Sequence, residues 1–296
     1  MRILIAGSHG FIGTALRRRL EDAGHDVRVL VRHAAARPEE TRWDPAAGWL
    51  DARALSGVDA VVDLAGVNPG TRLLTESRKR EVLASRVDSA GLLAETIATL
   101  DGPRPRLLQA SGIGAYGDRG DTPVDEDEPL GTTFFAEVVR QWEAATQPAT
   151  EAGGRVVFLR TGVVLGPGAG ALRPLWPLLR AGLAGRLGSG RQFWPWITLH
   201  DEVRAIEHLL TADVHGPVNL VAHADRNADV VAALAAALHR PAVVPAPAWA
   251  LRLVLRDFAS EVLGSVRAVP RVLEASGFTP DHPDLETAAR WLVEQS

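Results

Sequence analysis

The 296-residue chain has no cysteine, one methionine and one tyrosine, and a single lysine, Lys79, among its 32 basic residues. Without cysteine there can be no disulfide, thiolate zinc site or cysteine nucleophile, which fits a reducing compartment and an expected cytoplasmic location. Lys79 follows no glycine-rich run, so a Gly-Lys-Ser/Thr phosphate loop is excluded. No apolar run reaches the roughly 18 residues of a membrane span. The first one, Ile3 to Ala6, is too short for a signal peptide. The net charge is −4, with acids and bases interspersed, which favours neither nucleic acid nor a membrane surface as partner. The nine histidines lack metal-ligand spacing, so no metal is expected, and Gly188-Ser-Gly190 lacks the spacing of a nucleophile elbow. A small-molecule substrate remains as the expected partner, for a monomer or homodimer.

What is present begins at the first residues. Arg2 to Ala6 is an apolar run fit for a buried parallel strand. Gly7-Ser8-His9-Gly10-Phe11-Ile12-Gly13 follows, with glycines three apart, and Thr14 to Ala23 reads as a helix stopped by Gly24. Strand, glycine turn and helix make a dinucleotide-phosphate cradle. Gly7 permits the turn, Gly10 lets the backbone approach a pyrophosphate, and Gly13 lets the helix pack on the strand. The second strand, Val27 to Val31, ends at Arg32. An acid near that position would hold the ribose of NAD, whereas an arginine suits the 2′-phosphate of NADP, to which a guanidinium can bind through two hydrogen bonds. NADP(H) is therefore the expected cofactor.

Further strands are expected at Val58 to Gly66, Pro105 to Ser111, Arg155 to Leu159 and Gly216 to Val221. Helices are expected at Glu76 to Leu100, Phe134 to Thr150, and Glu202 to Leu210 with Asp201 as its cap, then at Ala228 to Leu238, Trp249 to Val262, Val269 to Ala275 and Leu285 to Gln295. Pro167 to Gly190 reads as a lid-like insertion packed with Trp176, and Trp194 and Trp196 stand either as a substrate-pocket wall or as core. The fold class is α/β, a doubly wound parallel Rossmann sheet with a smaller, mostly helical C-terminal substrate domain. Residues 1–166 and 197–222 form the expected nucleotide-binding core, and 167–196 with 223–296 the substrate or lid domain.

The glycine pattern, the strand-end Ser111 with Ala115-Tyr-Gly117, and the late second domain resemble the extended short-chain dehydrogenase/reductase superfamily. Tyr116-Gly-Asp-Arg-Gly-Asp121, Trp142-Glu143, Arg160-Thr-Gly-Val-Val-Leu-Gly166, Gly188-Ser-Gly-Arg-Gln192 and Leu238-His-Arg-Pro241 narrow the resemblance. They are similar to the atypical epimerase-family group related to human short-chain dehydrogenase/reductase family 39U, also labelled cell-division-inhibitor-like, over nearly the whole chain. The resemblance implies bound NADP(H) along Gly7 to Gly13 and Arg32, with the adenosine side near Leu64, Ala65 and Gly66. A phosphate contact from Arg86 belongs to the same expectation. The nicotinamide would point toward Ser111, Tyr116, Thr161, Gly162 and Val163. The substrate pocket would lie between the core and the C-terminal helices, roofed by Pro167 to Trp196.

One expectation of that superfamily is unmet. Its acid/base pair is Tyr-x-x-x-Lys, in which the lysine lowers the tyrosine pKa. In this chain Phe135 and Val139 take those positions, and the only lysine precedes the only tyrosine, so no register restores the pair. Three readings follow: an oxidoreductase or epimerase-like enzyme whose proton comes from another group, with Tyr116 and Ser111 as candidates and Glu126, His200 or water as helpers; weak hydride transfer with water as the acid; or a non-catalytic NADP(H)-dependent sensor or partner-binding module.

Overall fold

The computed structural model describes residues 1–167 and 170–296, so Gly168 and Ala169 of the expected lid lie outside it. Strands and helices alternate through β1 (Arg2–Ala6), α1 (Phe11–Asp22), β2 (Asp26–Val31), β3 (Glu40–Asp44), β4 (Trp49–Leu50), β5 (Ala60–Asp63), α2 (Glu76–Ala98) and β6 (Arg106–Gly112). After them come β7 (Pro123–Val124), α3 (Phe134–Ala144), α4 (Gln147–Glu151), β8 (Val156–Thr161), β9 (Val163–Leu165), α5 (Trp176–Arg180), β10 (Phe193–Thr198), α6 (Leu199–Leu209) and β11 (Gly216–Leu220). The chain closes with β12 (His223–Arg226), α7 (Asn227–Ala237), α8 (Ala248–Leu255), α9 (Ala259–Leu263), β13 (Arg267–Ala268), α10 (Arg271–Ala275) and α11 (Leu285–Glu294).

Eight strands form one sheet in the order β11-β8-β6-β5-β1-β2-β3-β4. Every neighbour is parallel except β4, which returns antiparallel on β3. Alternation along β1 sorts its side chains. Ile3 and Ile5 face α1 and α6 through Leu16, Leu20, Ile206 and Leu209, whereas Leu4 and Ala6 face α2 and α4 through Leu93, Ala94, Ile97 and Ala149. Both faces are thus covered by helices, and each fully buried Leu or Ile stabilises the fold by about 1.5–3 kcal/mol. Strand order reverses at β1, with β2 on one side and β5 on the other. In doubly wound sheets this is the crevice that takes ligands, at the carboxyl ends of the strands. Among the described residues no helix is long and apolar enough to cross a membrane.

The second layer is not purely helical. A small sheet, β12-β10-β9, is covered by α7 and α11. The proline- and glycine-rich insertion supplies Leu172, Leu179, Ala184 and Leu187 to this second core. It is packed structure rather than a loose flap. Trp196 is fully buried there and Trp194 nearly so.

Several expected boundaries shift for identifiable reasons. α1 starts at Phe11 with Gly10 as N-cap, so Gly13 lies in its first turn rather than ahead of the helix. It stops where expected, with Gly24 at φ +81° and the His25 amide donating to the Leu20 carbonyl at 3.0 Å. The expected helix over residues 134–150 breaks at Ala145 and Thr146, because Pro148 opens α4 and cannot continue the earlier turn. Asp201 is not the cap of α6. Thr198 is, its hydroxyl accepting the Asp201 amide at 3.1 Å.

Asp201 instead sits fully buried in the first turn and binds the C-terminal segment. Its carboxylate accepts the amides of Asp281 (2.8 Å) and His282 (2.9 Å) and pairs with Arg204 at 2.8 Å. Burial alone would raise its pKa, but those amides and Arg204 outweigh it and hold the carboxyl below its ordinary value. Asp201→Ala leaves two amides without their acceptor and removes the nearer of the two carboxylates paired with Arg204. It is expected to lower stability by about 3 kcal/mol, read as a fall in the urea midpoint. An unchanged midpoint would show that this anchor carries no weight.

Candidate functional site

At the carboxyl end of β1 the backbone turns at Gly7, with φ +78°. A Cβ there would lie 2.6 Å from the Leu64 carbonyl carbon and oxygen. At Gly13 a Cβ would lie 2.2 Å from the Gly7 carbonyl oxygen, so only glycine lets α1 sit this close to the strand end. Gly10 precedes the helix without a capping side chain, and the first turn carries no acid. The positive end of α1 therefore opens into the crevice, the arrangement that receives a phosphate. Ser8 is buried beside exposed His9, their side chains 3.3 Å apart. Ile12 packs on the sheet core. The Phe11 ring lies 2.4 Å from where a Cβ on Gly166 would stand, closing one flank.

The β1–β2 and β1–β5 pairings bring Arg32 and Leu64–Gly66 to the same edge. Arg32 is exposed just past β2, and among the described residues no hydrogen bond or ion pair engages its guanidinium. Buried Asp63 shapes the opposite wall. It accepts the Ala65 amide (2.9 Å), the Ser89 hydroxyl (2.8 Å) and the Gln109 amide (3.0 Å), while burial pushes its carboxyl up. Arg86 has a structural role. Its Nη1 donates to the Val67 and Val82 carbonyls at 2.9 and 3.0 Å, and its guanidinium stacks on Trp142 at 4.9 Å. Burial lowers its pKa to about 10. Through Nη1 it braces the loop after β5, and its side chain lies beside Gly66, where a Cβ would stand 3.4 Å from the guanidinium carbon.

At the other end of the crevice lies a buried polar chain. Ser111 donates to Glu143 Oε1 at 2.7 Å, and Glu143 is gripped by Arg160 through two bonds of 2.9 Å. Arg160 Nη1 donates to the Tyr116 hydroxyl at 3.0 Å, which in turn donates to Asn219 Oδ1 at 2.9 Å. Tyr116 is 1% exposed, and burial raises its pKa despite Arg160. A phenol so enclosed, with both hydroxyl functions engaged, does not face a substrate; the geometry makes Tyr116 a packing residue. The Ser111 hydroxyl is likewise turned into the chain by its bond to Glu143. Thr161 donates to Glu202 Oε1 at 2.8 Å, and a Cβ on Gly162 would lie 2.7 Å from the Pro195 carbonyl, so β10 holds the Thr161–Val163 corner.

The tryptophans do not wall a pocket. Trp196 Nε1 donates to Asp225 at 2.8 Å and Trp194 Nε1 to the Val262 carbonyl at 3.1 Å, both within the second core. His200, Asp201 and Asp281 bring possible ligand atoms within 4.8 Å of one another. Arg204, however, pairs with both carboxylates at 2.8 and 3.1 Å and already supplies the positive charge. Phe135 presents a ring, packed edge-on against Phe134 (5.0 Å) and Phe258 (5.9 Å). Sequence reasoning missed Arg160, Asn219 and Glu202 as partners, and Phe258 with Glu261 as neighbours of Phe135. Only Arg160 carried a signal, being an arginine inside an apolar strand.

Residues 3–222 match the NAD dependent epimerase/dehydratase family and residues 246–292 a domain of unknown function, DUF1731. The chain belongs to that epimerase/dehydratase family, as an NAD(P)-binding protein of Rossmann type. Within it, the chain is a homologue of the epimerase family protein SDR39U1. It is 36% identical to the human protein over 300 residues, covering 99% of this chain and all of that one. It is also 43% identical to the epimerase family protein Mb2239 of Mycobacterium bovis over 283 residues, 95% of this chain and 93% of that protein. The crystal structure of human SDR39U1 (isoform 2) with NADPH superposes with a TM-score of 0.91 at 35% identity, covering 100% of both chains.

Glu202 offers a test of the Thr161 corner. It is fully buried, and burial pushes its carboxyl up to about 8, with Thr161 offsetting only part. The folded protein therefore holds a proton that the unfolded chain releases near pH 4.3. Between that pH and about 8, this group makes stability fall as pH rises, by roughly 1.4 kcal/mol per pH unit at most. Glu202→Gln should raise the melting temperature, and raise it more at pH 8 than at pH 5. An equal effect at both would show that the carboxyl is ionised in the fold.

Proposed function

We propose that this protein is an NADP(H)-dependent oxidoreductase of the epimerase family acting on a small carbonyl or hydroxyl substrate without the Tyr-x-x-x-Lys pair. The observation that carries the reading is the backbone cradle at the strand-order reversal. A Cβ would collide with main chain at Gly7 and Gly13, and the neighbouring Arg32 is exposed. These features fit a dinucleotide carrying an extra phosphate, and the homologous human protein was crystallised with NADPH. Gly7 to Gly13 would hold the pyrophosphate and Arg32 the 2′-phosphate. Leu64 to Gly66 would flank the adenosine, and Thr161 to Val163 with the end of β6 the nicotinamide side. When bound, the cofactor supplies or accepts a hydride.

The chain's own part is to orient the reacting carbon and to handle the proton at oxygen. Phe135 and Val139 cannot do the latter, and Ser111 and Tyr116 are committed to the Glu143–Arg160 chain. That commitment also supports the non-catalytic reading, a nucleotide-dependent binding module. NADPH oxidation screened against aldehydes, ketones, quinones and nucleotide sugars separates the two. Tight NADPH binding with no oxidation of it would favour the module.

Two variants test the assignments. Arg32→Ala should weaken NADPH binding by roughly tenfold to a hundredfold, the worth of one charge-assisted contact of about 1.5–3 kcal/mol, with NADH changed little. Equal weakening of both in calorimetry would remove the case for the 2′-phosphate. Tyr116→Phe should cost about 1–3 kcal/mol of stability by stranding Arg160 and Asn219, yet leave kcat within a fewfold of wild type. A large loss of kcat at unchanged stability would return Tyr116 to the chemistry.

A further inference from the structure

The C-terminal region sends one segment across the crevice, the turn Arg256–Phe258 and helix α9. Asp257 pairs with Lys79 of α2 at 2.5 Å. The Phe258 ring packs on Phe135, and a Cβ on Gly70 would lie 3.5 Å from it. Behind the helix, the Val262 carbonyl accepts from Trp194 Nε1 (3.1 Å) and Gln192 Nε2 (3.3 Å). Just beyond it, the Ser265 hydroxyl donates to the Gly120 carbonyl at 2.6 Å and its amide to Asp118 at 3.3 Å. The segment is pinned at both ends and along its back.

This pinning carries Glu261 to Gly114 and Phe135. A Cβ placed on Gly114 would lie 2.6 Å from Glu261 Oε2 and 3.3 Å from Phe135 Cβ. Three groups therefore converge around Gly114: the glycine itself, in the loop after β6, the Cβ of the residue at the position of the superfamily's tyrosine, and a carboxyl. Among the described residues no hydrogen bond or ion pair reaches that carboxyl, and burial pushes it up to about 7. Several charged groups of the elements around it are engaged elsewhere, while Arg256, on the turn ahead of α9, is exposed. Lys79 is held by Asp257 and Glu76. Asp118 accepts the amides of Gly120 and Ser265, and Arg119 donates to the Tyr116 and Pro129 carbonyls.

We propose that Glu261 is the proton donor and acceptor of the substrate pocket, a catalytic carboxyl delivered by the C-terminal region to the place where Phe135 has replaced the tyrosine. The assignment rests on the oxidoreductase reading above. In reduction, the substrate's carbonyl carbon takes a hydride from the bound nicotinamide, the carbonyl π pair moves onto oxygen, and that oxygen takes the proton of Glu261. The products are the alcohol, the oxidised cofactor and the Glu261 carboxylate, which regains a proton from water. Oxidation runs the same transfers backward. Because Phe135 and Phe258 stand together on this side, the carbonyl served is one flanked by an apolar or aromatic group.

The experiment uses the full chain labelled with [δ-13C]glutamate, with Glu261→Gln and Glu261→Asp as variants. The resonance missing in both variants should titrate near pH 7 in the free protein. Its midpoint should be lower with NADP+ than with NADPH, since only the oxidised ring carries a positive charge. With the best aromatic aldehyde or ketone, Glu261→Gln should lose roughly 10²–10⁴-fold in kcat together with the limb of the pH profile near 7, while Glu261→Asp keeps part of both. NADPH affinity by fluorescence should stay within about twofold, as expected for a residue that acts on the substrate's proton rather than on cofactor binding. An ordinary carboxylate midpoint, or the same midpoint in both complexes, overturns the placement. Turnover retained in Glu261→Gln overturns the role and leaves the oxidoreductase reading intact. No NADPH oxidation by the wild type with any carbonyl removes both.

Discussion

Main chain packed on main chain is the constraint from which the crevice follows. The Gly7 carbonyl lies where a side chain at residue 13 would begin, and the Leu64 carbonyl lies where one at residue 7 would begin. These contacts pull the start of α1 and the end of β5 against the end of β1, at the reversal of strand order. Glycine in a helix costs about 0.5–1 kcal/mol relative to alanine. The fold tolerates that cost at Gly13, inside the first turn of α1, because the close approach aims the unfilled helix terminus at one point. Arg32 and the Leu64–Gly66 loop reach the same edge simply because their strands flank β1.

The second organising contact is the Glu143–Arg160 pair. A buried ion pair adds little net stability, yet stranding either partner typically costs 3–5 kcal/mol. Here it is extended by neutral partners, Ser111 at one end and Tyr116 with Asn219 at the other. The chain ties the carboxyl ends of β6, β8 and β11 together beneath the crevice. It also absorbs two of the hydroxyls expected toward the nicotinamide, those of Ser111 and Tyr116. Once Ser111 and Tyr116 are accounted for as partners of a buried charge pair, their presence near the crevice no longer argues that they handle protons.

The Rossmann half of the molecule was largely legible in the sequence, because its signals are local. A strand of alternating faces, three glycines in a set spacing and an arginine at the next strand end are each read within a few residues. Six of the eight strands of the large sheet stand close to the apolar runs, β3 and β4 being the two that do not. Errors arose where long-range contacts decide. Asp201 has the chemistry of a cap, but Thr198 lies in the right conformation to cap, and the Asp201 carboxylate is drawn to amides eighty residues away. Arg86 has the charge to meet a phosphate, and nothing local shows that its Nη1 also ties its own helix to the neighbouring loop. Trp194 and Trp196 were open between wall and core, and the second sheet, whose strands are distant in sequence, settles them as core.

The helices of the C-terminal region stand largely where expected, but the placement of the segment at α9 was the least legible part. That segment has no periodic apolar face of its own, and its placement comes from Gln192 and Trp194 holding a carbonyl, and from Lys79 and Phe135 receiving Asp257 and Phe258. These partners lie in three separate stretches of the earlier chain, so no local pattern announces them. The same dependence runs in the other direction. With Phe135 and Val139 in place of the ionisable pair, the Rossmann core offers no ionisable group at those two positions. An aromatic surface cannot give up a proton, but it can desolvate a carboxyl laid against it and so raise that carboxyl's hold on one. Phenylalanine at 135 and Glu261 near it thus fit one arrangement: a ring without a phenol adds to the apolar setting in which a buried carboxylic acid keeps its proton near neutral pH.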